Sequence, residues 1–257
     1  MTLLFFSSTG NSLYLAKRIG GELKSIPVCM KNEEYDFTDS EVGIIFPIYG
    51  LCIPPFIENF IKKINVEADY FFALATYGFF PGAVCGQLSV LHTKNGRGFD
   101  YINRIRMAEN CITFSDMAKQ EGDSAKQQKA IDKLLSDIAS GKSFVRGDSF
   151  FKRMMTANHL KKYEYSTGAG ITDKVTVSEE CTGCGTCQKV CPMDNIKLSE
   201  GKPVFGKNCV SCGGCLQNCP ANALHHKEEK SSARYRNPHV ELKELIMPFS
   251  KGDHNEK

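Results

Sequence analysis

The sequence predicts a parallel, doubly wound α/β sheet followed by a small, cysteine-rich α+β domain. Two observations carry this. Over residues 1–141, short apolar runs alternate with helix-like patterns, as strands joined by crossover helices do. Of 12 cysteines, eight fall between Cys181 and Cys219, in two copies of one run whose second copy opens 28 residues after the first. A repeat of that kind implies two equivalent halves related by pseudo-twofold symmetry.

The elements of the first part follow in order. Thr2–Phe6 is a compact apolar strand. Leu13, Ala16, Ile19 and Leu23 share one face of a helix expected over Ser12–Leu23. A short strand is expected near Ser25–Met30, and a buried one over Val42–Tyr49. Pro54–Ile64 reads as a helix, because proline suits the first turn, where its missing N–H has no partner to lose. Tyr70–Tyr77 is the next strand, Gly82–Leu91 a helix, Tyr101–Met107 a strand and Ala118–Ser140 a polar helix closing at Gly141. The count is five strands. Ligands of such a sheet sit beyond the carboxyl ends of its strands, where the strand order switches.

Composition narrows the function classes. The chain has 257 residues, 42% hydrophobic and 24% charged, which are globular values. A net charge of +3 is too mild to suggest nucleic-acid binding without a local basic cluster. Met1-Thr2 runs straight into Leu3–Phe6, so no signal peptide is expected. The most apolar stretch, Gly43–Ile57, is short and holds three prolines, so no membrane span is expected either. The expected setting is cytoplasmic, where clustered thiols suggest metal rather than disulfides. Residues 117–165 carry 10 Lys/Arg against 6 Asp/Glu, whereas 1–116 carry 10 against 12. Lys152, Arg153, Lys161 and Lys162 form the basic cluster, either a solvated helix face or a docking surface for an acidic redox partner. The expected domains are 1–141, a basic connector over 142–172 with a hinge at Ser166–Gly170, a cysteine domain over 173–227 and a charged tail over 228–257.

The two runs are Cys181-Thr-Gly-Cys-Gly-Thr-Cys-Gln-Lys-Val-Cys191-Pro and Cys209-Val-Ser-Cys-Gly-Gly-Cys-Leu-Gln-Asn-Cys219-Pro. Three cysteines within seven residues suit one corner of a cubane cluster, and glycines between them permit tight turns. A zinc ribbon would use four of the eight and leave the rest unexplained. The segment resembles the bacterial two-cluster ferredoxin family over about residues 174–226. The resemblance implies two 4Fe–4S clusters with crossed ligand sets. One set is Cys181, Cys184, Cys187 and Cys219; the other is Cys209, Cys212, Cys215 and Cys191.

After the first strand comes Ser7-Ser8-Thr9-Gly10-Asn11-Ser12, and then a helix. Hydroxyls, backbone N–H groups and a helix N-terminus suit a phosphate monoester. The loop has no lysine, unlike a triphosphate loop, and no G-x-G-x-x-G, and such residues also serve simply as helix caps. Pro47-Ile48-Tyr49-Gly50 ends the next strand along the sheet, and Thr76-Tyr77-Gly78 the one after, where second and third ligand loops are due. On these three loops residues 1–140 resemble the flavodoxin family. The resemblance implies five parallel strands in order 2-1-3-4-5 and one non-covalent FMN. The chain departs from the family in having no tryptophan to flank a flavin.

The whole chain, including Arg234-Tyr235-Arg236-Asn237-Pro238 and Met107-Ala108-Glu109-Asn110, resembles the fused flavodoxin–ferredoxin family. That implies an electron-transfer protein passing single electrons between two clusters and FMN and on to a redox partner, in an anaerobic habitat. Two alternatives stay open: an FMN-dependent reductase of a small molecule, and a ferredoxin whose first domain is an FMN-free docking module. No nucleophile–base pair or paired carboxylate stands out, so no catalytic residue is assigned. Cys29, Cys52, Cys85 and Cys111 read as packing thiols, and His225 and His226 as surface histidines.

Overall fold

The computed structural model describes residues 1–120, 124–162 and 171–246. The Ser166–Gly170 stretch and the chain beyond 246 lie outside the described residues. The chain divides into two compact units. The first takes in Met1–Ser7, Asn11–Glu109 and Glu121–Tyr165. The second takes in Ser8–Gly10, Asn110–Gln120 and Ser166–Lys257.

The first unit runs β1 (Thr2–Phe5), α1 (Asn11–Ile19), β2 (Glu22–Ser25), α2 (Ile26–Lys31), β3 (Asp36–Thr38), β4 (Glu41–Pro47), α3 (Pro55–Lys63), β5 (Asn65–Glu67), β6 (Tyr70–Tyr77), α4 (Val84–Ser89), β7 (Tyr101–Arg106), α5 (Ala125–Ala139), β8 (Phe144–Val145) and α6 (Phe150–Lys162). Six of these strands form one parallel sheet in the order β2-β1-β4-β6-β7-β8, flavodoxin-like in shape. The strands β1, β4 and β6 are mostly apolar and buried, as in a sheet with helical layers on both faces. Every residue of β1 is buried, and all of β6 except Tyr77. Gly43 sits where its neighbours leave no room for a side chain: a Cβ there would lie 2.3 Å from the Phe72 ring and 2.8 Å from Leu3.

The expected count of five strands is corrected to six. The addition is β8, two exposed residues at the sheet edge paired to Tyr101 and Ile102. β3 and β5 pair separately. The helix expected to reach Leu23 stops at Ile19, because Gly20 and Gly21 take left-handed φ of 87° and 103°, which ends a helix at little cost only for glycine. Leu23 is then in a strand. Where a strand was expected over Ser25–Met30, Ser25 ends β2 and Ile26 begins α2, with Pro27 in its first turn. The long polar helix is a 3-10 turn over Met117–Lys119 and then α5, capped by the Ser124 hydroxyl.

A buried ion pair fastens the segment before α6 to the sheet. Arg104 of β7 pairs with Asp148, the side chains 4% and 0% exposed. Asp148 also accepts from the Gly86 N–H at 2.8 Å. Thr156 of α6 accepts from Ala83 N–H at 2.9 Å. The rest of α6 presents Phe150 (81% exposed), Phe151, Arg153 and Met154 to solvent.

The second unit holds β9 (Val175–Val177), α7 (Thr186–Lys189), β10 (Ile196–Ser199), β11 (Lys202–Phe205), α8 (Gly214–Gln217), β12 (Leu224–His226) and α9 (Leu242–Ile246). β9 pairs with β12 and β10 with β11, both antiparallel. Glu200 and Gly201, both at positive φ, make the two-residue turn between β10 and β11, as the twist of a tight hairpin requires. This is the small α+β architecture expected of the cysteine domain.

Candidate functional site: two cysteine sets and a hydroxyl loop

The repeat in the second unit extends to the backbone. Gly183, Gly185 and Asp194 have positive φ, and so do their counterparts Ser211, Gly213 and Asn222. Gly183 has to be glycine, since a Cβ there would come within 2.7 Å of the Gly201 carbonyl. Gly185 caps α7 and Gly213 caps α8, each in the left-handed region. These turns fold three cysteines of each run back on themselves. The N–H of Asn195 donates to Cys191 Sγ at 3.3 Å, and the N–H of Ala223 to Cys219 Sγ at 3.3 Å. Such N–H···S bonds stabilise negative charge on sulfur.

The cysteines gather across the repeat. Cys181, Cys184, Cys187 and Cys219 line one cavity together with Gly183, Gly185, Leu198 and Leu224. Cys209, Cys212, Cys215 and Cys191 lie close enough to oppose one another's ionisation. Burial pushes the Cys187 thiol up to about 11 and Cys212 up to about 12, and raises Cys215 and Cys191 as well. Cys184 moves the other way, held down by a hydrogen bond with the Thr186 hydroxyl. Thiolates crowded in an apolar shell are costly without a cation between them. Among the described residues no group of three or more His, Cys, Asp or Glu is drawn tight enough for a single metal ion. Cysteine sulfurs gathered in this way are the donor chemistry that an iron–sulfur cluster requires.

The residues expected to line a flavin fall in both units, and each part has its own surroundings. In the first unit the Ser12 and Thr76 hydroxyls are 2.8 Å apart and buried. Asn11 Nδ2 donates to the Ala108 carbonyl at 3.1 Å. Ser7 is buried. The Ile48 N–H donates to the Thr76 carbonyl at 2.8 Å, which aligns the ends of β4 and β6. Pro47 ends β4 in register with Thr76. Tyr49 packs edge-on to Phe6, ring centres 6.3 Å apart, and Gly50 accepts from the Cys52 thiol at 2.9 Å. Tyr77 is half-buried. Gly78 is needed for packing, because a Cβ there would meet Glu109 at 2.4 Å.

In the second unit, Ser8, Thr9 and Gly10 are enclosed by residues that carried no assigned role in the sequence. Asn218 Nδ2 donates to the Ser8 carbonyl at 2.8 Å. Asn110 Nδ2 donates to the Thr9 hydroxyl. The Asn237 N–H donates to the Thr9 carbonyl at 2.8 Å, and a Cβ on Gly10 would meet Val240 at 2.9 Å. Asn110 and Asn237 lie in the two segments singled out by resemblance, which was the one signal that pointed to them. The loop chemistry fits a phosphate: a hydroxyl that accepts a bond keeps its own proton to donate. Of the paired Ser12 and Thr76 hydroxyls, one proton is likewise left over.

Three thiols outside the clusters, Cys29, Cys52 and Cys85, are buried, as expected of packing groups. Cys111 is exposed, contrary to the expectation, because it opens a turn at the start of its segment. His226 is also not a surface group. It is 3% exposed, since β12 turns it inward, and it accepts from the Glu228 N–H. His225 bonds Glu229 at 2.9 Å.

Residues 180–224 match the family described as a 4Fe-4S dicluster domain. No curated protein matches the chain. The match supports an iron–sulfur electron-transfer role for the second unit. Among the described residues no helix is long and apolar enough to cross a membrane.

Proposed function

We propose that the chain is an electron-transfer flavo-iron–sulfur protein, with two 4Fe–4S clusters in the second unit and FMN at the hydroxyl loop. The observation that carries the reading is the crossing of the cysteine sets, with Cys219 sharing a cavity with Cys181, Cys184 and Cys187. Cys181, Cys184, Cys187 and Cys219 hold one cluster, and Cys209, Cys212, Cys215 and Cys191 the other. Clusters of this kind supply one-electron transfer, and FMN adds the capacity for one or two electrons. The protein's own part is to space, shield and tune them. The N–H groups of Asn195 and Ala223 bond sulfur, and the exposed sulfur-bearing turns leave a route for electrons to a partner protein. Within the first unit, Ser7, Asn11 and Ser12 offer donors to the phosphate, while Pro47–Gly50 and Thr76–Gly78 flank the ring.

The enclosure of Thr9 and Gly10 by Asn237 and Val240 favours one competing reading, in which the first unit binds no flavin and only docks partners. Absorbance and iron analysis of anaerobically purified protein decide between them. Flavin bands above a broad iron–sulfur shoulder are expected. Iron–sulfur absorbance without flavin would leave the docking reading, and zinc in place of iron would sink both.

A further inference from the structure

The segment that crosses Thr9 and Gly10 also builds a cavity inside the second unit. It is a depression open to solvent, of about 480 Å³, lined by Gln217, Arg234, Arg236, Asn237, Leu242 and neighbours on the same segment. That size is in the range of small-molecule sites. Two guanidiniums face one cavity, and their situations differ. Arg234 is fixed: its Nη2 meets Glu229 at 3.0 Å and the Leu224 carbonyl at 2.8 Å, while its buried Nε has no partner. Arg236 is exposed and pairs with no acid among the described residues. The one carboxylate in the lining, Glu241, is engaged by Lys243 at 2.8 Å. Gln217 is held by the Asn110 carbonyl and the Tyr235 N–H, so the wall is rigid.

We propose that this cavity is an oxyanion site that takes a phosphate monoester, with the exposed Arg236 as its donor, since the Nη atoms of Arg234 are already engaged by Glu229 and by the Ala233 and Leu224 carbonyls. A guanidinium presents paired N–H donors that match two phosphate oxygens. The hydroxyl loop lacks a cation of its own, and Arg236 is the residue next to Asn237, whose N–H bonds Thr9. Gln217 lies between Cys215 and Cys219, so an occupant stands beside the cluster ligands. FMN and other phosphorylated molecules share this chemistry, and two probes separate them.

The test is calorimetric titration of the full, cluster-loaded chain, under anaerobic conditions, with inorganic phosphate and separately with FMN. Variants are R236A, the conservative R236K and, as a control on another exposed arginine, R153A. Arg236 is exposed, so its replacement leaves the fold intact. Phosphate binding that weakens about tenfold or more in R236A, recovers partly in R236K and ignores R153A is the expected result. Equal affinity in wild type and R236A, or no phosphate binding at tens of millimolar, overturns the proposal. FMN binding that ignores R236A would overturn a role for this cavity in holding flavin while leaving the flavin reading intact. FMN binding that falls together with phosphate binding assigns the phosphate to FMN.

Discussion

Cys219 and Cys181 line the same cavity although they belong to different copies of the repeat. A cysteine removed from one copy therefore disturbs the centre built around the other. In Cys219→Ser the cluster of the first run is expected to be lost and that of the second run kept, and Cys191→Ser should do the reverse. Each variant should retain about half the iron, read by iron analysis together with electron paramagnetic resonance of the reduced protein. If Cys219→Ser instead leaves the first-run centre and removes the second, the crossed assignment is wrong.

The clusters also bear on folding. The cysteine-bearing part of the second unit, residues 175–226, is small, and its apolar core rests on a few side chains such as Val190, Ile196, Leu216 and Leu224. Such a core is thin for independent stability. Stripping iron with a chelator under oxidising conditions should open this unit to protease while the six-stranded sheet stays resistant. Equal resistance of the second unit with and without iron would contradict that.

The Ser12–Thr76 contact ties α1 to the carboxyl end of β6. Removing one hydroxyl should cost about 1 kcal/mol, and a double-mutant cycle of Ser12→Ala with Thr76→Val should give a coupling of about 0.5–1.5 kcal/mol in denaturant unfolding. A coupling near zero would mean the two hydroxyls find other partners. The same variants titrated with FMN report separately on the phosphate site.

Asp148 is fully buried against Arg104. Deleting only the acid strands a buried cation, so Asp148→Ala should destabilise the first unit by about 3–5 kcal/mol. Replacing both partners with apolar residues of similar volume should restore much of that loss. Thermal unfolding of the four forms makes the comparison, and a double variant no better than the single one would count against the account.

The exposed face of α6 combines Phe150, Phe151 and Met154 with Arg153. If it receives an acidic redox partner, Arg153→Glu with Phe150→Ser should slow reduction by an acidic carrier protein by about tenfold and flatten its salt dependence. Reduction by a small viologen dye should not change. Equal slowing of both reactions would place the effect inside the protein rather than at a docking face.

The strongest signals in the sequence were those with a local cause. Tyr70–Tyr77 reads as a buried strand because every residue in it is apolar or small, and β6 has those bounds. The cysteine runs were legible for the same reason: ligand spacing is a local property. What failed was also local but ambiguous. A short apolar run such as Ser25–Met30 fits a strand or a helical turn equally, and Pro27 decided it for α2. β8 has two exposed residues and so no periodicity to read. Long-range effects left no mark at all. Resemblance marked the segment holding Asn237, but no local pattern in Asn237 or Val240 announces that they lie on Thr9 and Gly10, since that contact depends on the intervening chain.

The crossed cysteines carry a consequence for ancestry. On the proposed assignment, each copy of the repeat keeps three cysteines for one cluster and lends its fourth to the other. A lone ancestral copy could have completed its ligand sets only by pairing with a second chain, at a cost that depended on its concentration. In tandem on one chain that encounter is intramolecular, at the high effective concentration a short tether provides. After the joining, neither half is free to lose its fourth cysteine without harming its twin, so the two copies are bound to diverge together.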